Sequence, residues 1–414
     1  MGKILHVNHR YWPVVGGSEQ SVAAIATRQA AAGHQVTVLV TDALDFAAFW
    51  DPQARRIKER SEQEQGVTIK RTPIKYYPGK LWSFAALRRA QTYLGWWPLA
   101  ASYLGRYVPY LPRLTGNLAE LGEDWDLVVG WNITFDGLMA GARQTAKNSD
   151  APFLAVPFLH LGESPRSPVR RTYTMPHQMD LLRTANHVLV QTEVAATFLK
   201  KAGIGAERVS VLGLGIDLES LAGGDAERFL ARTGASIPVV TAIGPLTRDK
   251  GTQTLVEAAK IVLARGRALT LALAGPAMED FERYWQDLPK HVKDHVLRLD
   301  TVVGEEKKDL LAASSLLALP SRTDSFGIVL LEAWLYAKPV IGADAGGIPG
   351  LISDGEDGRV VPYGDADALA MAIIEILDDP LKAQAWGQSG QQKVRERYTW
   401  DKVYERFRAV AGIG

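Results

Sequence analysis

The 414-residue sequence contains no cysteine. Disulfide bonds and cysteine-based metal centres are therefore excluded. Neither positive nor negative charge is in excess, because 47 Lys and Arg residues balance 46 Asp and Glu residues and give a formal net charge of +1. A nucleic-acid-binding protein would usually carry a strong basic excess. The amino-terminal MGKILHVNHRYW has no apolar segment long enough for a signal peptide, and no run in the chain approaches the length of a membrane span. We therefore expect a cytoplasmic protein that binds no nucleic acid.

The length and the spacing of apolar runs predict two domains of the same kind. A chain of 414 residues exceeds one ordinary hydrophobic core. Short apolar runs alternate with helix-like segments, which is typical of an α/β protein whose parallel sheet is covered by helices on both faces. This alternation restarts near residue 213. We predict one domain over residues 1–212 and a second over residues 213–395.

Residues 314–361 contain the densest group of candidate site residues. The pattern predicts a strand, a polar loop, a twelve-residue helix from Phe326 and a second strand, with Asp324 and Ser325 at helix-capping positions. The first amide hydrogens of such a helix, those of Ser325, Phe326 and Gly327, point outward and suit an anion. Glu332 follows Asp324 by eight residues, so the two carboxylates cannot share one proton. Each can accept hydrogen bonds from a vicinal diol, and a sugar, a diphosphate and a ribose in one ligand fit this spacing. The alternative is that Asp324 only caps the helix and Glu332 is solvated.

The motifs of this stretch resemble a known enzyme family. D-S-F-G-I-V-L-L-E, followed by A-K-P-V-I and A-G-G-I-P-G, resembles the E-x7-E region of the retaining GT-B glycosyltransferases of glycosyltransferase family 4. The resemblance implies two Rossmann-like, doubly wound domains that face each other across a cleft, and a nucleotide-sugar donor. It assigns the donor sugar to Asp324, the diphosphate to the amides that follow, and the ribose to Glu332. The first acid of the family motif is Glu, whereas this chain has Asp. The resemblance also implies that the last helix, within residues 396–414, returns to the first domain.

The resemblance extends to the first domain. P-x-x-G-G-x-E contains Gly16 and Gly17, which lie before an Ala-rich helix and face the diphosphate and the acceptor in family members. His160 is predicted to end the strand over residues 153–159, where a family histidine lies near the transferred sugar. Without the family context, a Gly-Gly turn and a histidine at a strand end are more often structural.

The loop G-P-L-T-R-D-K-G departs from the family pattern G-R-x-x-x-x-K-G. Lys250 is retained, but Pro245 stands where family members have an arginine that neutralises the diphosphate. Arg248 is an additional cation nearby. Because charge on a leaving diphosphate must be stabilised, our hypothesis is that Arg248 performs part of this work.

Two D-x-D sequences could indicate a divalent metal. The first, Asp124 and Asp126, opens a strand, and the second, Asp365 and Asp367, lies at a helix start, where acids cap. We interpret both as structural. We expect no metal and no cofactor, with the nucleoside-diphosphate sugar acting as a co-substrate.

Residues 76–113 combine tryptophan and tyrosine with scattered lysine and arginine. This composition suits a peripheral contact with the inner face of the membrane or with an amphiphilic acceptor. The alternative is that these residues form helices packed on the sheet.

The sequence thus predicts a retaining, metal-independent glycosyltransferase that moves a sugar to a hydroxyl of a lipid, a glycan or a small molecule. Two alternatives remain open. One is a GT-B sugar phosphorylase or disaccharide synthase with a soluble sugar acceptor, and the other is a catalytically silent nucleotide-sugar binder.

Overall fold

A computed structural model describes residues 1–14, 16–76, 81–94, 110–122 and 124–412. The chain divides into two compact units. The first unit comprises Met1–Leu159, Pro168–Gly213 and Val403–Gly414, and the second comprises His160–Ser167 and Leu214–Lys402. The division after Gly213 lies beside the predicted boundary at 212. The second unit also contains residues 160–167 and continues to Lys402, beyond the predicted 395.

The first unit is built on an eight-stranded sheet of order β3-β4-β2-β1-β5-β6-β7-β8. Every strand pair is parallel except β3 with β4. Most residues of the central strands are apolar and buried, as expected for a sheet covered on both sides. The strands are Lys3–Val7 (β1), Gln35–Thr41 (β2), Ser61–Glu64 (β3), Val67–Thr72 (β4), Leu127–Trp131 (β5), Phe153–Val156 (β6), His187–Val190 (β7) and Val209–Val211 (β8). The helices are Gly17–Ala31, Leu81–Leu94, Leu114–Glu120, Asp136–Asn148, Pro168–Tyr173, Pro176–Arg183 and Glu193–Lys201, and Trp400–Ala411 begins in the second unit and continues into the first.

The second unit has a parallel six-stranded sheet of order β11-β10-β9-β12-β13-β14. Its strands are Val239–Ile243 (β9), Thr270–Ala274 (β10), Val296–Leu299 (β11), Leu316–Leu319 (β12), Val340–Ala343 (β13) and Gly358–Val361 (β14). Its helices are Ala226–Thr233, Thr252–Ala264, Glu279–Gln286, Lys290–Lys293, Gly304–Ala313, Ile328–Leu335, Ala366–Asp378 and Pro380–Arg397. The prediction of two parallel-sheet α/β domains is confirmed.

Strand order marks where each sheet can bind a ligand. In the second unit the chain runs outward from β9 through β10 and β11, then returns to the other side of β9 with β12. Ligands of open α/β sheets bind outside the carboxyl ends of the strands where the order reverses in this way. The loops after β9 and β12 therefore frame the expected site of the second unit. In the first unit, the corresponding strands are β1 and β5.

The predicted strand over residues 153–159 is too long. The strand ends at Val156 because Pro157 has no amide hydrogen for the ladder and Phe158 adopts a positive φ of 50°. His160 therefore does not end the strand. It lies four residues beyond it, in a segment that belongs to the second unit.

The membrane prediction concerns residues 76–113, and half of this stretch, residues 77–80 and 95–109, lies outside the described residues. Within its described part, the helix Leu81–Leu94 exposes Trp82 by 83%. Among the described residues, no helix combines the length and the apolar character needed to cross a bilayer.

Candidate active site

Three segments of the second unit carry the candidate residues. The loop after β9 contains Lys250, the loop after β12 contains Asp324, and the segment His160–Ser167 begins with the predicted histidine. Lys250 donates to the Asp324 carboxylate through Nζ and Oδ2 at 2.9 Å. The structure thus joins two residues that lie 74 positions apart in the sequence. Gly251 makes this approach possible, because a Cβ there would lie 2.0 Å from the Pro320 carbonyl oxygen.

Asp324 is held in its ionised form. Burial raises the pKa of its carboxyl, but the charge of Lys250 and hydrogen bonds from Ser321 and Lys250 lower it by more, so the net pKa lies below its usual range. Asp324 is therefore a carboxylate at neutral pH, able to accept hydrogen bonds from sugar hydroxyls.

His160 lies in the electrostatic environment of the same pair. Burial, together with the charge of Lys250, lowers the pKa of its imidazole to about 4, against opposing effects of Asp324 and a hydrogen bond with the Thr323 backbone. At neutral pH the imidazole is uncharged. His160 can therefore donate or accept a hydrogen bond beside Asp324, but it brings no positive charge to the site.

The helix after Asp324 starts later than predicted. It covers Ile328–Leu335, eight residues instead of twelve, and Gly327 is its N-cap with a left-handed φ of 91°. Asp324 and Ser325 are therefore not caps. Phe326, 1% exposed, anchors the turn by packing edge-on against Tyr398 at 5.5 Å between ring centroids.

The turn leaves a row of amide hydrogens without acceptors. Within the described part of the chain, no hydrogen bond accepts from the backbone N–H groups of residues 325–329. The first of these belong to Ser325, Phe326 and Gly327, as the sequence predicted. These donors, with the positive end of the helix dipole behind them, form an anion-binding arrangement.

The A-G-G-I-P-G motif supports this turn from behind. The Gly347 amide donates to the Asp324 carbonyl oxygen at 2.8 Å. A Cβ at Gly347 would lie 1.9 Å from the Ser325 carbonyl oxygen, and one at Gly346 would lie 2.2 Å from that of Asp324. The two glycines are required because the backbone of one loop rests directly on the backbone of the other.

Glu332 is buried with one free oxygen. It is 5% exposed, and its Oε1 accepts from Lys307 Nζ at 2.6 Å. Its Oε2 has no hydrogen-bond partner among the described residues. Burial raises the pKa of this carboxyl, and the Lys307 charge opposes that rise only in part. The alternative of a solvated Glu332 is therefore wrong. A buried acceptor without a partner is costly unless a ligand supplies the hydrogen bond.

Arg322, which the sequence motifs do not indicate, contacts the Lys250 loop and a second loop of the site. The guanidinium of Arg322 contacts Asp249 Oδ1 through Nε at 3.0 Å and Nη2 at 2.7 Å, and Glu163 Oε1 through Nη1 at 3.4 Å. Arg322 thereby joins all three loops of the site. No local motif pairs residues so far apart in sequence.

The guanidinium of Arg248, in contrast, is exposed and has no hydrogen bond or ion pair with a described residue. Its backbone is fixed, since its amide donates to Asp280 at 2.7 Å and its carbonyl accepts from Tyr363 at 3.0 Å. The side chain is thus available to an anion. Pro245, at the family arginine position, is exposed in the same loop.

The first unit places Gly16 and Gly17 at the start of its first helix, after β1. Glu19 is buried there, 3% exposed, and accepts from Arg10 at 2.9 Å and Ser18 at 2.8 Å. Burial raises the pKa of Glu19, but His9 and Arg10 outweigh burial and bring it to about 2. A Cβ on Gly16 would lie 2.5 Å from Glu19 Oε2, so a larger residue at position 16 would collide with the Glu19 carboxylate in this position.

The two D-x-D sequences have structural partners. Asp126 accepts from the Lys3 amide at 2.7 Å, and Asp124 pairs with the Lys3 ammonium. Asp365 caps its helix by accepting from the Ala368 amide at 2.8 Å. The described residues contain no group of three or more side chains suited to holding a metal.

Two family models match the chain. "Glycosyl transferase 4-like domain" matches residues 16–215, and "Glycosyl transferases group 1" matches residues 237–379. Together the two glycosyltransferase models cover most of the chain. The second match contains Lys250, Asp324 and Glu332, and the first begins at Gly16.

Curated relatives of this chain are similar to it over part of their length. Alpha-D-kanosaminyltransferase of Streptomyces kanamyceticus is 32% identical over 206 residues, covering 48% of this chain and 53% of that protein. Alpha-maltose-1-phosphate synthase of Mycolicibacterium smegmatis is 31% identical over 219 residues, covering 48% and 55%. The chain therefore spans about half the length of these relatives.

Solved structures share the fold across the whole chain. HepE of Anabaena in complex with UDP has a TM-score of 0.74 at 19% identity, with 99% of each chain covered. Sucrose-phosphate synthase of Thermosynechococcus elongatus has a TM-score of 0.73 at 19% identity, covering 99% of this chain and 98% of that one. At this identity the likeness shows the GT-B fold alone.

Proposed function

We propose that this protein is a retaining, metal-independent glycosyltransferase that moves a sugar from a nucleoside-diphosphate sugar to a hydroxyl acceptor. The observation that carries the proposal is the buried Glu332 carboxylate, whose Oε2 has no partner in the part of the chain that the structure describes. It follows a helix start whose amide hydrogens find no acceptor among those same residues. A ribose diol and a diphosphate supply those missing partners in one ligand.

The proposed mechanism assigns a task to each group. The amides of Ser325, Phe326 and Gly327 bind the diphosphate, and Lys250 and Arg248 neutralise the charge that develops on it as the bond to the anomeric carbon breaks. Asp324 accepts hydrogen bonds from the donor sugar. Family resemblance implies a front-face reaction, in which the acceptor oxygen bonds to the anomeric carbon while its proton passes to the leaving phosphate oxygen.

The family resemblance assigns the acceptor to the first unit, where Gly16 and Gly17 lie after β1. The uncharged imidazole of His160 can hydrogen-bond a sugar hydroxyl without competing with Lys250 for the phosphates. A peripheral membrane contact through residues 76–113 stays part of the proposal for a lipid-linked acceptor.

A panel of UDP-, GDP- and ADP-sugars tests the proposal by thermal unfolding. A ligand at one hundred times its Kd stabilises the native state by about 2.7 kcal/mol, which raises the melting temperature of a unit of this size by roughly 5–11 °C. We expect one nucleotide class to produce this shift in the wild type and not in Glu332→Gln. Transfer with that donor should then give an acceptor product of unchanged anomeric configuration by NMR, and inversion would overturn the retaining assignment.

A soluble sugar or sugar-phosphate acceptor is the second candidate. It is favoured because two comparison proteins are named maltose-1-phosphate synthase and sucrose-phosphate synthase, whereas another relative is named a phosphatidylinositol monomannoside mannosyltransferase. Offering a free hexose phosphate and a lipid acceptor in parallel separates these classes. Donor binding without transfer or slow hydrolysis would instead support the silent binder, for which Pro245 is the argument.

A further inference from the structure

Lys307 reaches the ribose-assigned carboxylate from a different helix. It lies in Gly304–Ala313, and its ammonium donates to Glu332 Oε1 at 2.6 Å. Both side chains are largely shielded from solvent, with 21% of Lys307 and 7% of Glu332 exposed. One oxygen of the carboxylate is thus occupied by the protein, and the other has no described partner.

The contact is needed because a buried carboxyl without a cation favours its protonated form. Burial already raises the pKa of Glu332, and among the described residues Lys307 is the charged group that counteracts this rise. Charged groups nearby have other partners. Lys393, on the helix packed against Ile328–Leu335, contacts Asp357 and Ser353, and Asp309 on the Lys307 helix is bound by Arg228.

We propose that Lys307 is a positioning residue for donor binding. It keeps Glu332 ionised and turns the carboxylate so that Oε2 faces the vicinal diol of a ribose. This inference rests on the proposed function, since it presupposes a nucleotide at Glu332. A protonated carboxyl would lose acceptor capacity toward the diol, because its hydrogen makes one oxygen a donor.

Titration calorimetry between pH 7 and 9 tests this role. The probes are the nucleoside diphosphate that binds the wild type and its 2′-deoxy and 3′-deoxy analogues. The ratio of ribose to deoxyribose affinity is the readout, because titration of the phosphates cancels in that ratio. For the wild type we expect a preference for ribose that is nearly constant over this range.

In Lys307→Met we expect the ribose preference to fall about tenfold at pH 7, because loss of the cation raises the pKa of the buried Glu332 carboxyl further and favours its protonated form. The preference should recover toward pH 9 as Glu332 ionises. Lys307→Arg should restore a pH-independent preference. Lys308→Met is the matched control, because Lys308 is the next residue on the same helix and makes no contact with Glu332.

The outcomes distinguish a failure of the proposed function from a failure of the role proposed for Lys307. A wild type that binds no nucleoside diphosphate overturns the proposed function and this inference with it. A wild type that binds, together with a Lys307→Met protein whose ribose preference is unchanged or reduced equally at every pH, overturns the inference alone. If Lys307→Met does not fold, Lys307→Gln is measured in the same way.

Discussion

Replacing Gly347 with alanine should displace the turn that carries the anion-binding amides. The added methyl group would lie 1.9 Å from the Ser325 carbonyl oxygen and 2.5 Å from its carbonyl carbon, both of them backbone atoms. Relief requires the loops to separate. Overpacking of this kind costs about 1–3 kcal/mol. The hydrogen bond from Gly347 to the Asp324 carbonyl contributes about 1 kcal/mol more.

The expected loss of unfolding free energy is therefore roughly 2–4 kcal/mol, which lowers the melting temperature by roughly 4–16 °C for a unit of this size. A displacement of about 1 Å in a positioning loop can reduce turnover by a factor of about one hundred. Thermal unfolding followed by circular dichroism and donor turnover are the two measurements. Gly116→Ala is the control, because a Cβ there meets nothing within 4 Å and the helical position favours alanine. A Gly347→Ala protein that unfolds and turns over like the wild type would refute this packing argument.

Three further predictions concern polar side chains of the site. Arg248→Ala should reduce turnover by roughly tenfold. This is less than the loss expected for a donor in a water-excluded site, because Arg248 is exposed. Unchanged turnover in Arg248→Ala, with Lys250→Ala inactive, would contradict the hypothesis for Arg248. Asp324→Glu should change the ranking of donor sugars by kcat/KM more than it changes nucleotide affinity, because a site built to pair a hydroxyl discriminates by reach; an equal loss for all donors would count against it. Because the pKa of His160 is lowered to about 4, its neutral form is lost only as pH falls through that value, so pH–rate profiles of the wild type and His160→Gln should have the same shape between pH 5.5 and 8. An inflection in that range that His160→Gln removes would show that the imidazole titrates there.

The fold was predictable because it follows from apolar runs of regular spacing. Parallel strands buried on both faces read as short apolar segments, and the restart near residue 213 lies beside the division after Gly213. Element ends were less predictable. The strand before His160 ends at Val156, although the apolar run continues, because Pro157 cannot donate to the ladder. The helix after Asp324 begins only at Ile328, because Gly327 has a left-handed backbone conformation.

The candidate site was predictable where its residues share one motif. Asp324, the three amides after it and Glu332 are close in sequence, so periodicity and resemblance could place them together. Lys307 and Arg322 were missed because their partners come from other elements, and only packing brings those elements into contact. A lysine on a helix and an arginine in a loop carry no sequence signal that distinguishes them from solvated surface residues.

The most direct test of the central claim is a crystal structure of this protein with the nucleoside diphosphate selected by the donor panel. We expect the diphosphate oxygens to accept hydrogen bonds from the amides of Ser325, Phe326 and Gly327, and the ribose hydroxyls to donate to Glu332 Oε2. A nucleotide bound elsewhere, with Glu332 Oε2 still lacking a ligand hydroxyl, would contradict it.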